Sequence, residues 1–229
     1  MKTFLQICQD VWSETGISGA GPVSVTTAVG IERRLVGWVR DAWKDVQQFR
    51  PDWPWMINEV TFALSPQKDR YSLAELVLTD NVEKWLFDNT KIYKTYDGKD
   101  GEQYISGREY LAEWPAMSLG TQTPAQPESI LYDPTSNDLV FYPVPDAEYS
   151  VTTRYYRQPQ ALAADLEVPL MPPGSKYQDI IKWKALVYYG FYDGAPDILG
   201  EAEQRYGELI IAMDNQYGQI ISVGYGPLA

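Results

Sequence analysis

The residue types that most enzymes use for nucleophilic or metal-assisted catalysis are scarce in this sequence. It contains no histidine and one cysteine among its 229 residues. This excludes Ser-His-Asp and Cys-His nucleophile systems and most catalytic zinc sites. Cys8 lies near Phe4, Ile7 and Val11, so we expect a buried small hydrophobe, and a single cysteine forms no internal disulfide. No Walker loop or cysteine cluster is present, and we predict no catalytic, cofactor-binding or metal-binding residue.

Two kinds of carbohydrate chemistry stay open as rival functions. Glycoside hydrolysis needs only two carboxylates, and the 31 acidic residues of the chain include no pair that stands out. Trp53, Trp55, Trp85 and Trp114, with many tyrosines, could form a platform that stacks on sugars. Aromatic residues at helix and strand spacing are more often part of a core or an interface, which is the alternative reading.

Three short stretches resemble functional motifs but lack a defining feature. Residues 133–138, "DPTSND", have neither the alternating acidic spacing nor the final glutamate of a calcium loop, so we predict a turn. The glycines of "GISGAG" follow the wrong order for a dinucleotide fingerprint, which leaves a linker between helices. "SVGYG" resembles a potassium-channel filter, but no apolar run reaches the roughly 18–20 residues that cross a bilayer.

Charge limits the classes of partner. The net charge of −12 disfavours a protein that reads DNA sequence, because such a field repels nucleic acid. It suits a protein that lets DNA pass without gripping it, and it equally suits an ordinary acidic protein kept soluble by charge. Gln6, Gln9 and Asp10 interrupt the apolar stretch that a signal peptide needs, so we expect a cytoplasm-like compartment.

Helices are predicted at both ends of the chain. Residues 2–14 carry apolar side chains at helical spacing, and a longer amphipathic helix is predicted for residues 28–49, ended by Pro51 and Pro54. The predicted apolar stripe of the second helix contains Ile31, Leu35, Trp38, Ala42, Val46 and Phe49, with Trp43 beside it.

Two more helices are predicted near the end of the chain, joined by a short turn as an antiparallel hairpin. Ser175, with Gln178 three residues later, predicts the cap of the first, and Pro196 suits the first turn of the second. The predicted stripes are Ile180, Ile181, Lys184, Val187, Tyr188 and Phe191 in the first helix and Ile198, Ala202, Arg205, Tyr206, Leu209 and Met213 in the second.

The middle of the chain has the alternating pattern of strands. Strands are predicted in "INEVTFALSP", "RYSLAELVL" and "KIYKTY", and then in "SILYD", "DLVFYPVP" and "EYSVTTRYYRQP", the last three as an antiparallel meander. Between the two sets, Ser106 with Glu109 three residues later predicts a capping box that begins a short helix.

The order of elements predicts an α+β fold that is mainly helical. Terminal helices form a bundle, with an inserted antiparallel β region and an extended C-terminal arm. The predicted divisions are residues 1–55 for the first bundle helices, 56–158 for the β insert, 159–216 for the helical hairpin and 217–229 for the arm.

Two stretches carry a resemblance to a known family. "GISGAGPVSVTTAVGIERRLVGWVRDAWKDVQ" followed by "WPWM", and "YDPTSNDLVFYPVPDAEYSVTTRYYRQPQALAADLEVPLMPPGSKYQDIIKWKALVYYGFYDGAPDILGEAEQRYGEL", resemble adaptor proteins of tailed bacteriophages. The resemblance spans nearly residues 1–215, and its specificity lies in the order of features that are individually common.

The resemblance implies a structural protein and no enzyme. Such adaptors form a ring, usually twelve-fold, under the portal ring of the capsid, where they complete the DNA exit channel and provide the docking surface for the tail. It implies as partners the portal protein, neighbouring copies, a tail or nozzle protein and double-stranded DNA that passes without specific binding, with no membrane. The implied location is the head–tail junction of a virion assembled in the host cytoplasm.

The last 13 residues suggest how such a ring protein gains affinity. Apolar side chains alternate with glycines that let the segment follow a foreign surface, and ring symmetry multiplies weak contacts. We therefore expect the arm to dock on the portal or on a neighbouring copy. The candidate contact residues are Ile220, Ile221, Val223, Tyr225 and Leu228. The alternative is a tail that folds back on its own helix pair.

Overall fold

A computed structural model describes residues 1–50, 52–76, 78, 81–119, 122–171 and 177–218. The chain divides into two compact units, a helical unit of Met1–Met56 with Pro159–Ala229 and a β unit of Ile57–Gln158. The predicted boundaries after residues 55, 158 and 216 stay predictions, because compactness does not test whether each part forms a domain.

Among the described residues, four α-helices build the helical unit. They are α1 (Phe4–Glu14), α2 (Gly30–Phe49), α4 (Asp179–Asp193) and α5 (Pro196–Tyr217), and the remaining helix, α3 (Tyr110–Met117), belongs to the β unit. Helix α4 packs against each of the other three, and α1 also packs against α2. The core of this unit therefore forms around α4, where segments from both ends of the chain meet.

Helix α1 begins with a capping box, which was not predicted from the sequence. The Thr3 hydroxyl accepts the backbone N–H of Gln6 at 3.3 Å, and the Gln6 side chain accepts the backbone N–H of Thr3 at 2.9 Å. The predicted apolar spacing of this helix is confirmed. Cys8 is fully buried, and burial raises the pKa of its thiol to about 12, so it is a small hydrophobe and not a nucleophile.

Helix α2 starts at Gly30, two residues later than predicted, and its buried face is turned from the predicted stripe. Phe49 is 50% exposed, and Ile31 and Trp38 are half-buried. The helix contacts both α1 and α4, so its buried face is wider than one stripe and is centred one row away. Its buried residues are Leu35, Val36, Val39, Ala42, Trp43, Val46 and Gln47.

Where the chain returns to the helical unit, side chains of α2 form a set of partly buried hydrogen bonds with it. The buried Gln47 accepts the backbone N–H of Gln160 at 2.7 Å and donates to the Gln160 carbonyl at 3.1 Å. The Trp43 indole N–H donates to the Gln160 side chain at 3.0 Å. Arg40 then donates to the Leu162 carbonyl at 2.6 Å. Helix α2 thus binds the backbone that follows the β unit.

The predicted hairpin of α4 and α5 is present. Gly194, with φ of +67°, ends α4 in the left-handed conformation that favours glycine, and Pro196 lies in the first turn of α5. Helix α4 begins at Asp179 without a side-chain cap, and the predicted cap Ser175 lies outside the described residues.

Both predicted stripes of the hairpin are partly wrong. Phe191 is 67% exposed, and Arg205 is also exposed. Helix α5 packs mainly on α4, so most of its circumference faces away from the core. Its buried residues are Ala202, Ile210 and Met213.

In the described part of the β unit, eight strands form two sheets. The strands are β1 (Ile57–Leu64), β2 (Arg70–Ser72), β3 (Val82–Lys94), β4 (Gln103–Tyr104), β5 (Ser106–Arg108), β6 (Ser129–Asp133), β7 (Asp138–Tyr142) and β8 (Tyr149–Arg157). One sheet has the order β1-β8-β3-β4 and is antiparallel throughout. The other has the order β2-β7-β6-β5, in which β5 and β6 are parallel.

The predicted meander is wrong in its third strand. Strands β6 and β7 pair as expected, but β8 lies between β1 and β3 in the other sheet. Its long pairing with β1 runs from Ile57↔Tyr156 to Leu64↔Tyr149. Pairing on both edges satisfies more of the backbone of β8 than a place beside β7 would, since β2 already occupies that edge of β7.

Two other local predictions in the β unit need correction. The capping box at Ser106 is wrong, because Ser106–Arg108 pairs with β6 and α3 begins only at Tyr110, with no side-chain cap at Glu109. Strand pairing satisfies the backbone of these residues, so they need no helix. The predicted strand "RYSLAELVL" is a strand only over Arg70–Ser72, followed by a 3₁₀ turn at Leu73–Leu76. "KIYKTY" forms only the end of β3, which begins at Val82.

Side chains from both sheets form one core in the β unit. Phe62 of β1 meets Phe141 of β7 edge to face, with ring centroids 6.1 Å apart, and Tyr71 of β2 meets the same ring at 5.7 Å. Edge-to-face pairs of this kind add stabilisation beyond the area they bury. The sheets are therefore held face to face by aromatic contacts.

The fold is α+β. With 42% of the described residues in helices and 24% in strands, the description as mainly helical is not confirmed, and neither is the description of the terminal helices as a bundle. Within the described residues, each helix is too short or too polar to span a membrane.

The contact between α4 and α5 gives a direct stability prediction. A Cβ added at Gly190 would lie 2.8 Å from the Cβ of Leu199 and 3.0 Å from its Cα, so α5 would have to move. We expect Gly190→Ala to lower the free energy of unfolding by about 1–3 kcal/mol.

Gly207→Ala is the matched control, because a Cβ there meets nothing within 4 Å. It should raise the free energy of unfolding by about 0.5–1 kcal/mol through helix propensity. Urea unfolding followed by circular dichroism measures both changes. Equal effects of the two substitutions would contradict close packing at Gly190.

Candidate functional site

Aromatic rings surround the point where α5 ends and the arm begins. Tyr217, the last residue of α5, meets Trp55 edge to face with centroids 5.5 Å apart and meets Tyr177 at 6.0 Å. Trp55 in turn stacks on Trp53 at 4.6 Å. Trp53 is fully buried, and its indole N–H donates to the Val46 carbonyl at 3.0 Å. These contacts fix Tyr217 to the body of the helical unit.

An arginine that lies between two carboxylates also fixes the end of α5. Arg50 donates two hydrogen bonds to the Asp52 carboxylate, at 2.9 and 3.0 Å, and one to Asp214 of α5 at 2.5 Å. The hydrogen bonds with Asp52 and Asp214 raise the pKa of Arg50, and the Arg50 hydrogen bond holds the pKa of Asp52 below its usual range. Arg50 and Asp52 are therefore both charged at neutral pH. The hydrogen bond from Arg50 to Asp214 ties the end of α2 to the last turn of α5.

Gly218 closes this site because a side chain has no room there. Its N–H donates to the Asp214 carbonyl at 2.6 Å. A Cβ at this position would lie 2.2 Å from Nη1 of Arg50 and 2.4 Å from the Asp214 carbonyl oxygen. We call Arg50, Asp52, Trp53, Trp55, Tyr177, Asp214, Tyr217 and Gly218 the arm root.

The predicted arm contacts lie beyond the arm root. Ile220, Ile221, Val223, Tyr225 and Leu228 lie outside the described residues, so their role stays a prediction. Sequence reasoning missed the arm root itself, because its members come from three separated parts of the chain. The run "DWPW" at residues 52–55 was the available signal, since two tryptophans beside prolines directly after a helix are typical of a fixed aromatic turn.

The four tryptophans proposed as a sugar platform are divided between the two units. Trp53 and Trp55 belong to the helical unit, whereas Trp85 and Trp114 belong to the β unit. Within the β unit, Trp85 stacks beside Phe87, and Trp114 stacks on Tyr110 at 5.7 Å. For Trp53 and Trp85, both buried, the core reading is confirmed.

A groove of about 580 Å³ lies in the β unit beside Trp85. The Trp85 side chain is 7% exposed, and its indole N–H is buried without a hydrogen-bond partner in the described part of the chain. Such a donor is costly to leave unpaired. Besides Trp85, the described lining residues are Leu73, Asn81, Val82, Glu83, Lys84, Phe87, Tyr132, Asn137 and Gln158.

A second, more polar groove of about 360 Å³ contains two carboxylates, Glu59 and Glu102. Glu59 accepts a hydrogen bond from Arg154 at 3.0 Å, and Glu102 accepts one from Lys91 at 2.7 Å. Each carboxylate is thus paired with a basic side chain, which is the arrangement of a structural ion pair and gives neither of them a marked role in glycoside hydrolysis.

Metal ligands do not cluster among the described residues, where no group of three or more Cys, Asp or Glu side chains is placed to hold a metal ion. The stretch at 133–138 is a turn between β6 and β7, as predicted. The Asp133 carboxylate accepts the backbone N–H of Thr135 at 2.9 Å, and its carbonyl accepts that of Asn137 at 2.9 Å. Asn137 adopts φ of +60°, which asparagine tolerates in turns.

The last helix among the described residues of this α+β protein thus ends against a cluster of aromatic rings. The model of the SU10 adaptor protein family matches residues 2–224. The chain therefore belongs to the SU10 adaptor protein family, which confirms the resemblance seen in the sequence. A search of curated proteins found no match.

Membership of this family indicates a structural role as a phage adaptor in the virion. It indicates a non-enzymatic protein as well. Portal and tail proteins are the partners that the adaptor family implies.

The arm root predicts that Gly218 controls how α5 ends. In Gly218→Ala the new methyl group would meet the Asp214 carbonyl, so the last turn must shift and the Arg50–Asp214 contact must open. We expect the thermal midpoint of unfolding to fall by about 2–4 °C, because a loss near 1 kcal/mol shifts the midpoint by that amount in a chain of this size.

Asn215→Ala is the matched control, because it changes an exposed residue of the same turn. It should leave the midpoint unchanged or slightly higher. Differential scanning calorimetry measures both variants. A Gly218→Ala variant as stable as the wild type would show that the end of α5 is not held by these contacts.

Proposed function

We propose that this protein is a head–tail adaptor that forms a ring on the capsid portal, extends the DNA exit channel and offers the attachment surface for the tail. The family match over residues 2–224 is the observation that carries the proposal. The ring has twelve copies in the proposal, placed at the head–tail junction of a virion assembled in the host cytoplasm. The terminal helices form the ring body as a bundle, and the β region is an insert.

Residues 217–229 act as a docking arm in this proposal. The arm root supports it, because Tyr217 and Gly218 are fixed by Trp55, Tyr177 and Asp214. An arm that starts from a fixed point loses less conformational freedom when it binds than one that starts from a mobile helix end. The residues proposed to contact the portal or a neighbouring copy are Ile220, Ile221, Val223, Tyr225 and Leu228.

The net charge of −12 supports the second part of the proposal, a channel through which DNA slides. Carboxylates on a channel wall repel phosphates and prevent the salt-dependent binding that lysine and arginine would give. Double-stranded DNA is then a passing cargo and not a bound ligand. A ring whose lumen is basic would contradict this part.

Co-sedimentation with the portal ring encoded in the same genome tests the adaptor role and the arm together. The full chain should bind with a fixed number of copies per portal. A chain ending after Gly218 keeps the arm root, so it should fold normally and bind at least about tenfold more weakly, since the loss of apolar burial worth about 1.4 kcal/mol has that effect.

The double substitution Ile220→Ser/Ile221→Ser should weaken binding in the same direction, with Ser222→Ala as the control of similar position. Unchanged binding by the shortened chain would refute the docking arm and favour a tail that folds back on its own helices. No binding by the full chain at several salt concentrations would refute the adaptor role.

The groove beside Trp85 favours carbohydrate binding as a second candidate function. Sugars are recognised by aromatic rings together with amide and carboxylate groups, and the groove offers Phe87 and Tyr132 beside Asn81, Asn137 and Glu83. Glu83 is the one carboxylate among its described lining residues, so the groove supports binding of a glycan and gives no support to its hydrolysis.

Glycan-array binding, followed by titration of the tryptophan fluorescence with any saccharide that is retained, tests this candidate. Tyr132→Ala should weaken binding by up to about tenfold, since an aromatic contact contributes about 0.5–1.5 kcal/mol beyond the area that it buries. Tyr104→Ala is the control, because Tyr104 is 69% exposed and does not line this groove. An array without retained glycans, or equal effects of the two substitutions, would rule out a saccharide site in the groove.

A further inference from the structure

Aromatic side chains of α2 and the end of α4 pack in a column that runs from the core to the protein surface. Its base is Tyr189, which is 3% exposed and whose hydroxyl lies 3.2 Å from the Thr15 carbonyl and 3.1 Å from the Asp193 carboxylate. Trp38 of α2 packs on Tyr189 with centroids 6.0 Å apart, and Tyr192 packs on Trp38 at 5.3 Å. The Arg34 guanidinium lies 4.8 Å above the Tyr192 ring. We call these four residues the aromatic ladder.

The outer end of the ladder is unprotected. Tyr192 is 52% exposed, and the adjacent Phe191 is 67% exposed. Exposed rings of this size, combined with tryptophan and arginine, have the composition of residues that dominate binding energy at interfaces. Arg34 and the neighbouring Arg33 are exposed, and neither forms an ion pair with any described residue. The two arginines give this patch a positive charge, whereas the chain as a whole has a net charge of −12.

Helix α5 has the complementary charge. It contains five acidic residues and one basic residue between Pro196 and Tyr217. Asp197, Glu201 and Glu208 fall on the side opposite the buried Ala202, Ile210 and Met213, at the spacing that places residues on one helix face. The side chains of Glu201 and Glu208 are 60% and 57% exposed.

The same line of α5 also has an apolar member. Ile211 is 61% exposed and lies three residues after Glu208, on the same face. The row of residues 197, 201, 204, 208 and 211 follows steps of four and three, which is the spacing of a helix that packs against another helix along one seam. Among the described residues, α5 has one main neighbour in its own unit, α4, so no other helix packs extensively along this seam. Within α5 itself, Arg205 lies 3.9 Å from Glu201 and 4.0 Å from Glu208, and exposed pairs of this kind contribute little, so both glutamates can exchange Arg205 for a partner on another copy. We call Asp197, Glu201, Glu208 and Ile211 the acidic face.

We propose that the aromatic ladder with Arg33 of one copy packs against the acidic face of α5 of a second copy. The basic and acidic surfaces lie on different helices of one unit, so the contact is head to tail, and such contacts generate rings when the rotation closes. Ion pairs between the arginines and Glu201 or Glu208 set the register, and Ile211 packs on the exposed rings of Phe191 and Tyr192. This inference rests on the proposed ring and assigns the faces by which its copies touch.

Native mass spectrometry of portal rings at limiting amounts of this protein tests the contact. If neighbours attract one another, filled and empty portals should dominate, because binding of one copy favours the next. Arg33→Glu/Arg34→Glu should change this to a random distribution of copies per portal, and Glu201→Lys/Glu208→Lys should do the same. Combining both pairs of reversals in one chain restores opposite charges across the contact and should restore cooperative filling.

Lys44→Glu/Lys99→Glu is the control with the same change in net charge as the arginine pair, at two exposed positions outside both surfaces. It should fill portals cooperatively, like the wild type. Circular dichroism checks that every variant is folded. Cooperative filling by the arginine variant, or combined reversals that fail to restore it, would overturn the assigned faces while portal binding itself stands. Absence of portal binding by the wild type would instead refute the ring proposal.

Discussion

The hydrogen bonds between the buried Gln47 side chain and the backbone of Gln160 are the constraint on which the helical unit depends. These residues lie 113 positions apart in the sequence, and the whole β unit is inserted between them. Gln47 is 1% exposed and uses both ends of its amide on the backbone of Gln160. An apolar residue at position 47 would take these partners from the half-buried N–H and carbonyl of Gln160, at a cost of up to about 1–3 kcal/mol each. The contact therefore fixes where the chain re-enters the helical unit.

Helix α4 gains its central position from this return. Once the backbone after residue 160 is bound to α2, α4 can pack against α1 and α2, and α5 can follow as the outer helix. The arm root and the aromatic ladder, which we propose to act in assembly, are both built from these packed helices. The arm root joins the end of α2 to the end of α5, and the aromatic ladder joins α2 to the end of α4. Because α5 is the outer helix and packs mainly on α4, it keeps an exposed face that we propose to contact a second copy.

The sequence predicted the elements whose signals are local. Helix α1, helix α2, the hairpin turn at Gly194 and Pro196, and strands β6 and β7 follow from apolar periodicity and turn residues. Strand β8 was placed in the wrong sheet because its partners, β1 and β3, are distant in the sequence, and propensity carries no information about pairing. The capping-box pattern was wrong at Ser106 and overlooked at Thr3, because the pattern alone does not show which backbone groups already have partners.

The candidate site was beyond local reasoning for a similar reason. The arm root combines residues 50–55, Tyr177 and residues 214–218, and no spacing in the sequence brings these together. The buried face of α2 was displaced because a helix with two neighbours buries more than one stripe. The arm contacts proposed from composition at residues 220–228 lie outside the described residues, so they stay a prediction from the sequence.

Hydrogen–deuterium exchange of the full chain, alone and bound to the portal ring, tests the central claim most directly. Bound protein should show slower exchange in the peptides that follow Gly218, and at α5 and the start of α2 where copies touch. Peptides that line the groove beside Trp85 should exchange as in the free chain. Protection confined to that groove, with unchanged exchange after Gly218 and along α5, would contradict an adaptor that docks through its arm and assembles through its helices.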